Sequence, residues 1–402
     1  MRLEFKTEGD TSQTLQNLLD RAVALGVSDI HGEALEGGAK IRFRIDGLLH
    51  DAGMLPPELY GQLLSRIKLL AGIKLNVADR PQDGSFSVQV AGNEIEIRVS
   101  TLPSEYGETV VLRLLNPKSL IGFEQLGLRA DLLSLFQKEI RKPNGMIVVT
   151  GPTGSGKTTT LYAFVLQVKK PELKIITIED PIEYHLEGIS QTQVNESRGY
   201  TFASGLRAIV RQDPDIILVG EIRDEETADI ALQASLTGHL VFSTLHTNDA
   251  AGSVARFVAL EAKAATVASA VNLIIAQRLL RKICKKCATM GEASSQEKEK
   301  IQKALAVVPA KLRPKVPPAL KIPRAAGCPQ CNDTGYRGRV GIFEAIEIDD
   351  ETEEFIIPNP SLSALRNFAI KKGMVPMFQD GILKVLEGVT TLEELERVSA
   401  ET

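Results

Sequence analysis

Gly151-Pro152-Thr153-Gly154-Ser155-Gly156-Lys157-Thr158 fits the spacing G-x-x-x-x-G-K-[ST]. The apolar run Met146-Ile147-Val148-Val149 before it reads as a buried strand, and Thr158 to Leu166 after it reads as a helix. Glycines let the backbone curl until its N–H groups point at phosphate oxygens, and a helix N-terminus adds a favourable partial charge. Lys157 can then reach β- and γ-phosphates, the Thr158 hydroxyl can ligand Mg²⁺, and Thr159 follows in the same helical turn. A glycine-rich turn can match this spacing by chance, but strand, helix and all the fixed positions together argue for ATP with Mg²⁺.

The rest of the chain sets bounds around this loop. At 402 residues it predicts two or three domains with ample core. Hydrophobic residues at 43% and charged residues at 24% are ordinary for a globular protein. A net charge of −4 leaves no global basic field that would point to nucleic acid. The best membrane-span candidate, Ala264 to Ala276, is too short and is broken by Thr266, Ser269 and Asn272. The start, Met1-Arg-Leu-Glu-Phe-Lys6, lacks a signal-peptide core. A cytoplasmic protein is expected, with any membrane association peripheral and made through partners.

Four regions follow from the pattern: an N-terminal α/β domain over 1–117, an ATPase core over 118–280, a cysteine-bearing subdomain over 281–345 and a helical region over 346–402. In the first, Leu15 to Leu25 has helical spacing, Lys40 to Asp46 alternates like a strand, and Gly84 to Ser100 and Glu108 to Leu115 repeat that signal. Asn116-Pro117-Lys118 reads as the start of a linker. From Gly145 to Thr247 apolar strands alternate with helices, the pattern of a parallel sheet, with Ile175–Ile178, Ile216–Val219 and Leu240–Thr244 as further core strands. The charged, proline-containing stretch 292–324 reads as an insertion or linker, and Ser361 to Thr402 as helical with a capping-box pattern at Thr391 and Glu394.

Strand C-termini in such sheets face ligands, which draws attention to Glu179, Asp180 and Glu183 as groups placed to touch water or Mg²⁺. Asp215 to Glu221 is a second strand ending in an acid, with Gly220 before Glu221. Gly238 to His246 is a third, with His239 and His246 at its two ends; either could sense a γ-phosphate. Arg207 and Arg211, four apart, share a helix face close to the second acidic strand, so surface ion pairing competes with phosphate contact.

These stretches occur in one order: the phosphate loop, Ile178-Glu-Asp-Pro-Ile-Glu183, Leu206 to Asp215, Val219-Gly-Glu-Ile-Arg-Asp224 and Thr237 to His246. The set resembles the type II secretion and type IV pilus motor ATPases. The likeness extends to Ser28-Asp-Ile-His31, Arg42 to Gly47, Ile274 to Cys284 and Asp380 to Val385. It implies an α/β chain: an N-terminal PAS-like domain, a RecA-like P-loop ATPase core, a tetracysteine zinc subdomain and a helical C-terminus. It implies that Glu183 polarises the attacking water, that Glu221 supports Mg²⁺, and that Arg207 and Arg211 approach the γ-phosphate. Arg98 and Arg113 resemble arginines of the preceding domain that close over the nucleotide. The resemblance further implies a homo-hexameric ring, an inner-membrane platform protein and cytoplasmic docking proteins as partners, and the work of pilin polymerisation. Assembly motors commonly carry a further N-terminal docking domain, and this chain starts close to what would be their second domain.

Cys284-Lys-Lys-Cys287 and Cys328-Pro-Gln-Cys331 are the chain's cysteines. Two such pairs in a cytosolic chain favour zinc over disulfides, and four thiolates close a tetrahedral, structural shell. The segment Gly327 to Gly338 resembles the family's metal-binding segment, which is typical of assembly and secretion motors rather than retraction motors. Arg278, Arg281, Lys282, Lys285 and Lys286 make this region basic, suited to acidic lipid, a partner or a solvated helix. The competing reading is a hexameric nucleic-acid translocase or helicase; the acidic balance and the lack of aromatic-basic clusters count against it.

Overall fold

A computed structural model describes residues 5, 7, 9–116 and 120–400. Pro117 and Lys118 of the expected linker start lie outside the described residues. The chain divides into two compact units, one holding the described residues to 116 with Gly327–Gly338, the other 120–326 and 339–400.

In the first unit, α1 (Thr11–Leu25) is followed by β1 (Val27–Leu35), β2 (Gly38–Ile45), β3 (Leu48–Leu55), α2 (Pro57–Leu70), β4 (Gln82–Val90), β5 (Asn93–Ser104) and β6 (Gly107–Leu115). The Asp10 carboxylate caps α1 by accepting the Gln13 N–H at 2.8 Å, and Gly26 ends the helix at φ 69°. The strands form an antiparallel sheet in the order β3-β2-β1-β6-β5-β4. Alternation decides its faces. Ile95, Ile97 and Val99 of β5 are buried with Leu15, Leu18 and Leu19 of α1 and Leu63, Leu64 and Ile67 of α2. Glu96, Arg98 and Ser100 therefore take the other face. Residues 84–100, a single strand signal in the sequence, are a hairpin that turns at Ala91 and Gly92 with φ 50° and 75°. Alanine is a poor turn residue, so the sequence hides that turn.

The second unit runs α3 (Ala130–Glu139), β7 (Gly145–Thr150), α4 (Lys157–Val168), β8 (Ile175–Glu179), β9 (Ser190–Gln193), α5 (Phe202–Val210), β10 (Ile216–Val219), α6 (Glu225–Leu236), β11 (Leu240–Leu245), α7 (Ala250–Ala259), α8 (Ala264–Ala270) and β12 (Val271–Ile283). It continues with β13 (Thr289–Glu292), α9 (Ser295–Val307), β14 (Lys321–Arg324), β15 (Tyr336–Glu347, of which the part from Arg339 on belongs to this unit), α10 (Asp350–Ile356), α11 (Leu362–Lys371), α12 (Met377–Leu386) and α13 (Leu392–Ala400). Its main sheet has the order β15-β12-β7-β11-β10-β8-β9 and is parallel from β12 to β9. Helices cover both faces, so the strands are continuous apolar runs. Along β7, Met146 and Val148 enter one core while Ile147 and Val149 enter the other.

Residues 292–324 are not a bare linker. Ser294 and Glu297 form a reciprocal cap on α9, β13 pairs with β14, and Ile301, Leu305, Leu320 and Ile322 are buried in one cluster with α12 and α13. Charge on the solvent side masked this short apolar stripe. The tail is helical as expected. The Thr391 hydroxyl accepts the Glu394 N–H at 3.2 Å, and the Glu394 carboxylate takes Arg281 and Arg397.

Asp380 fastens the C-terminal helices to the front of this unit. Its buried carboxylate accepts Arg129 Nη1 at 2.7 Å and the Phe343 N–H at 2.8 Å. Asp380→Ala would leave the Phe343 N–H unpaired and a guanidinium that is 9% exposed with the partly exposed Asp131 as its remaining counter-charge. Breaking a buried pair from one side costs about 3–5 kcal/mol, and the loss here falls toward the lower end of that range. Denaturant unfolding of Asp380→Ala should show a loss of that size; an unchanged midpoint would contradict it.

Candidate functional site

The parallel register brings four strand ends to one edge of the sheet. Thr150 of β7 lies beside Leu245 of β11, Ser243 beside Val219 of β10, and Val219 beside Ile178 of β8. The chain therefore leaves the sheet along one line into Gly151, His246, Gly220-Glu221 and Asp180. This is the crevice in which open α/β sheets bind ligands.

The glycine loop bridges β7 and α4. Gly151, Gly154 and Gly156 have φ of 148°, 80° and 90°, conformations that side chains resist. Pro152, Thr153 and Gly154 are exposed, while Ser155 is buried. Lys157 Nζ donates to the Gly151 carbonyl at 2.8 Å and the Pro152 carbonyl at 3.3 Å. Burial pushes the Lys157 amine down to about 8; Arg278 adds to the shift and Glu221 opposes it. Thr158 is exposed and Thr159 half-buried in the first turn of α4, so the Thr158 hydroxyl can meet a hydrated Mg²⁺.

Around Lys157 stand groups from two other strand ends. Glu221, 12% exposed, accepts Arg223 Nη2 at 2.5 Å and lies 3.2 Å from His246 Nε2. Arg223 reaches Asp180 at 4.0 Å, and its guanidinium is held charged more firmly by Glu221. His246 is held below its usual range by burial first and by Lys157 second, with Glu221 pulling the other way. Thr150 and Thr247 bond to each other at 2.8 Å and fix the turn that carries His246.

The other sequence candidates fall in different places. His239 precedes β11, so it stands at the far edge of the sheet; its carbonyl accepts the Gly145 N–H and its Nδ1 lies 3.0 Å from the Ala234 carbonyl. Arg207 on α5 pairs with Glu226 in the first turn of α6, and Arg211 is the C-cap of α5. Glu183 is half-buried on the loop after β8. Glu179 does not offer itself to water or Mg²⁺: it is 3% exposed, and its carboxylate accepts Tyr162, Thr177 and Gln191. In the first unit, Arg98 of β5 and Arg113 of β6 stand directly opposite each other on the solvent face, and Arg113 Nε donates to Asp29 at 3.0 Å.

Gln277 of β12 escaped the sequence reading. Its buried amide donates to the Ser155 carbonyl at 2.8 Å and accepts the Thr160 hydroxyl at 2.7 Å, so it supports the phosphate loop from behind. The available signal was a single amide inside the apolar run Ile274-Ile-Ala-Gln277, since a polar group buried there must have partners. The same strand corrects a second expectation. Arg278, Arg281 and Lys282 lie on β12 and not on a helix, and Arg281 is held by the buried Glu394.

One ligand atom from each of Cys284, Cys287, Cys328 and Cys331 lies within 4.8 Å of the others, and no disulfide joins them. The Cys328 and Cys331 sulfurs are 3.7 Å apart. Thiolates around Zn²⁺ at 2.3 Å stand about 3.8 Å apart, so the set fits a closed zinc shell. No helix among the described residues is long and apolar enough to cross a membrane.

Comparison with known proteins agrees with this arrangement. Residues 4–397 match the family model described as type II/IV secretion system protein. The type II secretion system protein E of Pseudomonas aeruginosa is 46% identical over 99% of this chain and 77% of its own length. The type IV pilus assembly ATPase PilB of Myxococcus xanthus is 41% identical over 94% of this chain and 66% of its own. Among solved structures, the pilus retraction motor PilT with bound ADP matches with a TM-score of 0.62 at 28% identity, covering 96% of each chain. The Legionella pneumophila ATPase DotB shares the fold, with a TM-score of 0.72 at 20% identity over 99% of this chain and 98% of its own. With a family match along nearly its whole length, and its glycine loop, acids and histidine ranged along one sheet edge, the chain belongs to the type II/IV secretion system motor ATPases.

Proposed function

We propose that this chain hydrolyses ATP as a subunit of a hexameric ring and drives assembly of a type IV pilus or a type II secretion pseudopilus. The observation that carries the reading is the convergence of Lys157, Glu221 and His246 beside the glycine loop. Backbone amides and Lys157 bind the phosphates. Thr158 and Glu221 would hold Mg²⁺, which would supply positive charge against that of the phosphates. Glu183 polarises the attacking water, His246 senses the γ-phosphate through Glu221, and Arg207 and Arg211 add positive charge. Arg98 and Arg113 close over the nucleotide from the first unit and couple hydrolysis to displacement. Relatives named as a type II secretion system ATPase and a type IV pilus assembly ATPase support this reading over a nucleic-acid translocase. An inner-membrane platform protein and cytoplasmic docking proteins are the partners, and the four-thiolate zinc site favours assembly over retraction.

Lys157→Ala should abolish Mg²⁺-dependent turnover. The Lys157 amine lies at about 8 without nucleotide, so above that pH it is mostly neutral. Phosphate charge raises its affinity for a proton. Calorimetry at pH 8.5 in buffers of differing ionisation enthalpy should therefore detect proton uptake on ATP binding, absent in Lys157→Ala. Equal heats in all buffers would count against Lys157 as the phosphate ligand.

Protein purified without added zinc should carry about one equivalent per chain. Cys284→Ser should lose metal and melt at lower temperature; full zinc content in that variant would exclude a four-cysteine site.

Arg98→Ala and Arg113→Ala should bind nucleotide normally and hydrolyse it slowly. Wild-type rates in both, or a monomer of full activity in sedimentation, would remove the closure mechanism.

A further inference from the structure

The loop after β8 is tied to the nucleotide-binding helix by a buried relay that no assigned role uses. Tyr162, 1% exposed, lies on α4 five residues beyond Lys157. Its hydroxyl donates to Glu179 Oε2, and the backbone of Glu183 and Tyr184 lies near enough to act on the same hydroxyl electrostatically. Glu179 Oε1 accepts Thr177 Oγ1 at 2.6 Å and Gln191 Nε2 at 3.1 Å. Gln191 then grips the loop: its Nε2 donates to the Tyr184 carbonyl at 3.0 Å, and its Oε1 accepts the Leu186 N–H at 2.6 Å. Gln193, two residues along β9, accepts the Ile182 N–H at 3.2 Å. The backbone is thus fastened on both sides of Glu183.

We infer that Tyr162, acting with Glu179 and Gln191, is a positioning residue that holds Glu183 in register with the phosphate loop. This rests on the reading of Glu183 as the water-polarising carboxylate. A carboxylate accepting three donors in a buried site is structurally committed, so Glu179 serves the loop as an anchor. A hydroxyl that donates to a buried carboxylate cannot be replaced by a ring alone without leaving that carboxylate short of a donor.

The test compares Tyr162→Phe, Gln191→Leu, Glu183→Gln and the double variant Tyr162→Phe/Glu183→Gln in the full chain. Tyr162→Phe should lower kcat about 100-fold, the scale of a misplaced catalytic group, while affinity for a fluorescent ATP analogue stays unchanged. In the Glu183→Gln background it should add no further loss, because both changes remove one function. Hydrogen exchange at amides 182–186 should quicken in Tyr162→Phe and Gln191→Leu. Gln191→Leu leaves α4 untouched and should show the same split between kcat and affinity if Tyr162→Phe folds poorly. Additive loss in the double variant, or full-rate hydrolysis by Tyr162→Phe and Gln191→Leu while Glu183→Gln is inactive, overturns the relay. Full-rate hydrolysis by Glu183→Gln overturns the catalytic reading instead, and the exchange rates still report whether Tyr162 holds the loop.

Discussion

The close approach of the phosphate loop to β12 is the constraint on which the nucleotide site depends. A Cβ added at Gly151 would stand 2.5 Å from the Gln277 carbonyl oxygen, and one at Gly156 would stand 2.8 Å from its amide nitrogen. The glycines are there for conformation and also because a strand lies directly behind them. With the loop pressed on β12, α4 must leave the sheet at a fixed angle, and β7 must sit between β12 and β11. The remaining strand ends then fall in line along the same edge. β12 runs through Ile283 into Cys284, so one rigid element supports the phosphate loop at one point and offers a thiolate at its end.

Charge at this edge is local and does not reflect the chain's balance. The protein as a whole is acidic, at −4. Lys157, Arg278, Arg223 and His246 nonetheless act on one another around Glu221. Burial disfavours the charged form of Lys157 and His246; Lys157 further lowers the affinity of His246 for a proton, and Arg278 does the same to Lys157. Such a site gains most from an arriving polyanion, which relieves the mutual repulsion of its cations. The opposed Arg98 and Arg113 follow the same logic in the first unit, since like charges across adjacent strands are unfavourable until an anion such as Asp29 stands beside them.

The parts legible in the sequence were those with local signatures. The glycine loop, the apolar strands and the paired cysteines each depend on spacing within a few residues. What stayed hidden depends on tertiary neighbours. Gln277 lies 122 residues from Ser155, to which it donates, and Gln191 is 12 residues from Glu179. Glu179, Asp180 and Glu183 look alike as acids after a strand, yet burial under Tyr162 gives Glu179 a different task. His239 and His246 also look alike until the parallel register sends them to opposite edges. The stretch 292–324, read as an insertion or linker, shows the same limit. Charge dominates its composition, and only packing against α12 and α13 reveals Ile301 and Leu305 as core.

The relay beneath Glu183 has a mechanical consequence. Lys157 and Tyr162 are on one helix, five residues apart, so about 7.5 Å of axial rise separates the phosphate contact from the loop anchor. A helix of this length whose faces are almost all buried moves as a body. Any displacement of α4 that follows phosphate binding is carried to Glu179, and through Gln191 to both flanks of Glu183. On the proposed mechanism, Glu183 and the phosphate loop would therefore keep their spacing through the cycle. The arginines of the proposed closure would then need only to meet one preformed assembly. Such an arrangement would separate the chemistry, which needs fixed distances, from the proposed domain movement, which needs freedom. A motor whose carboxylate sat on an unanchored loop would have to rebuild its catalytic geometry in every cycle.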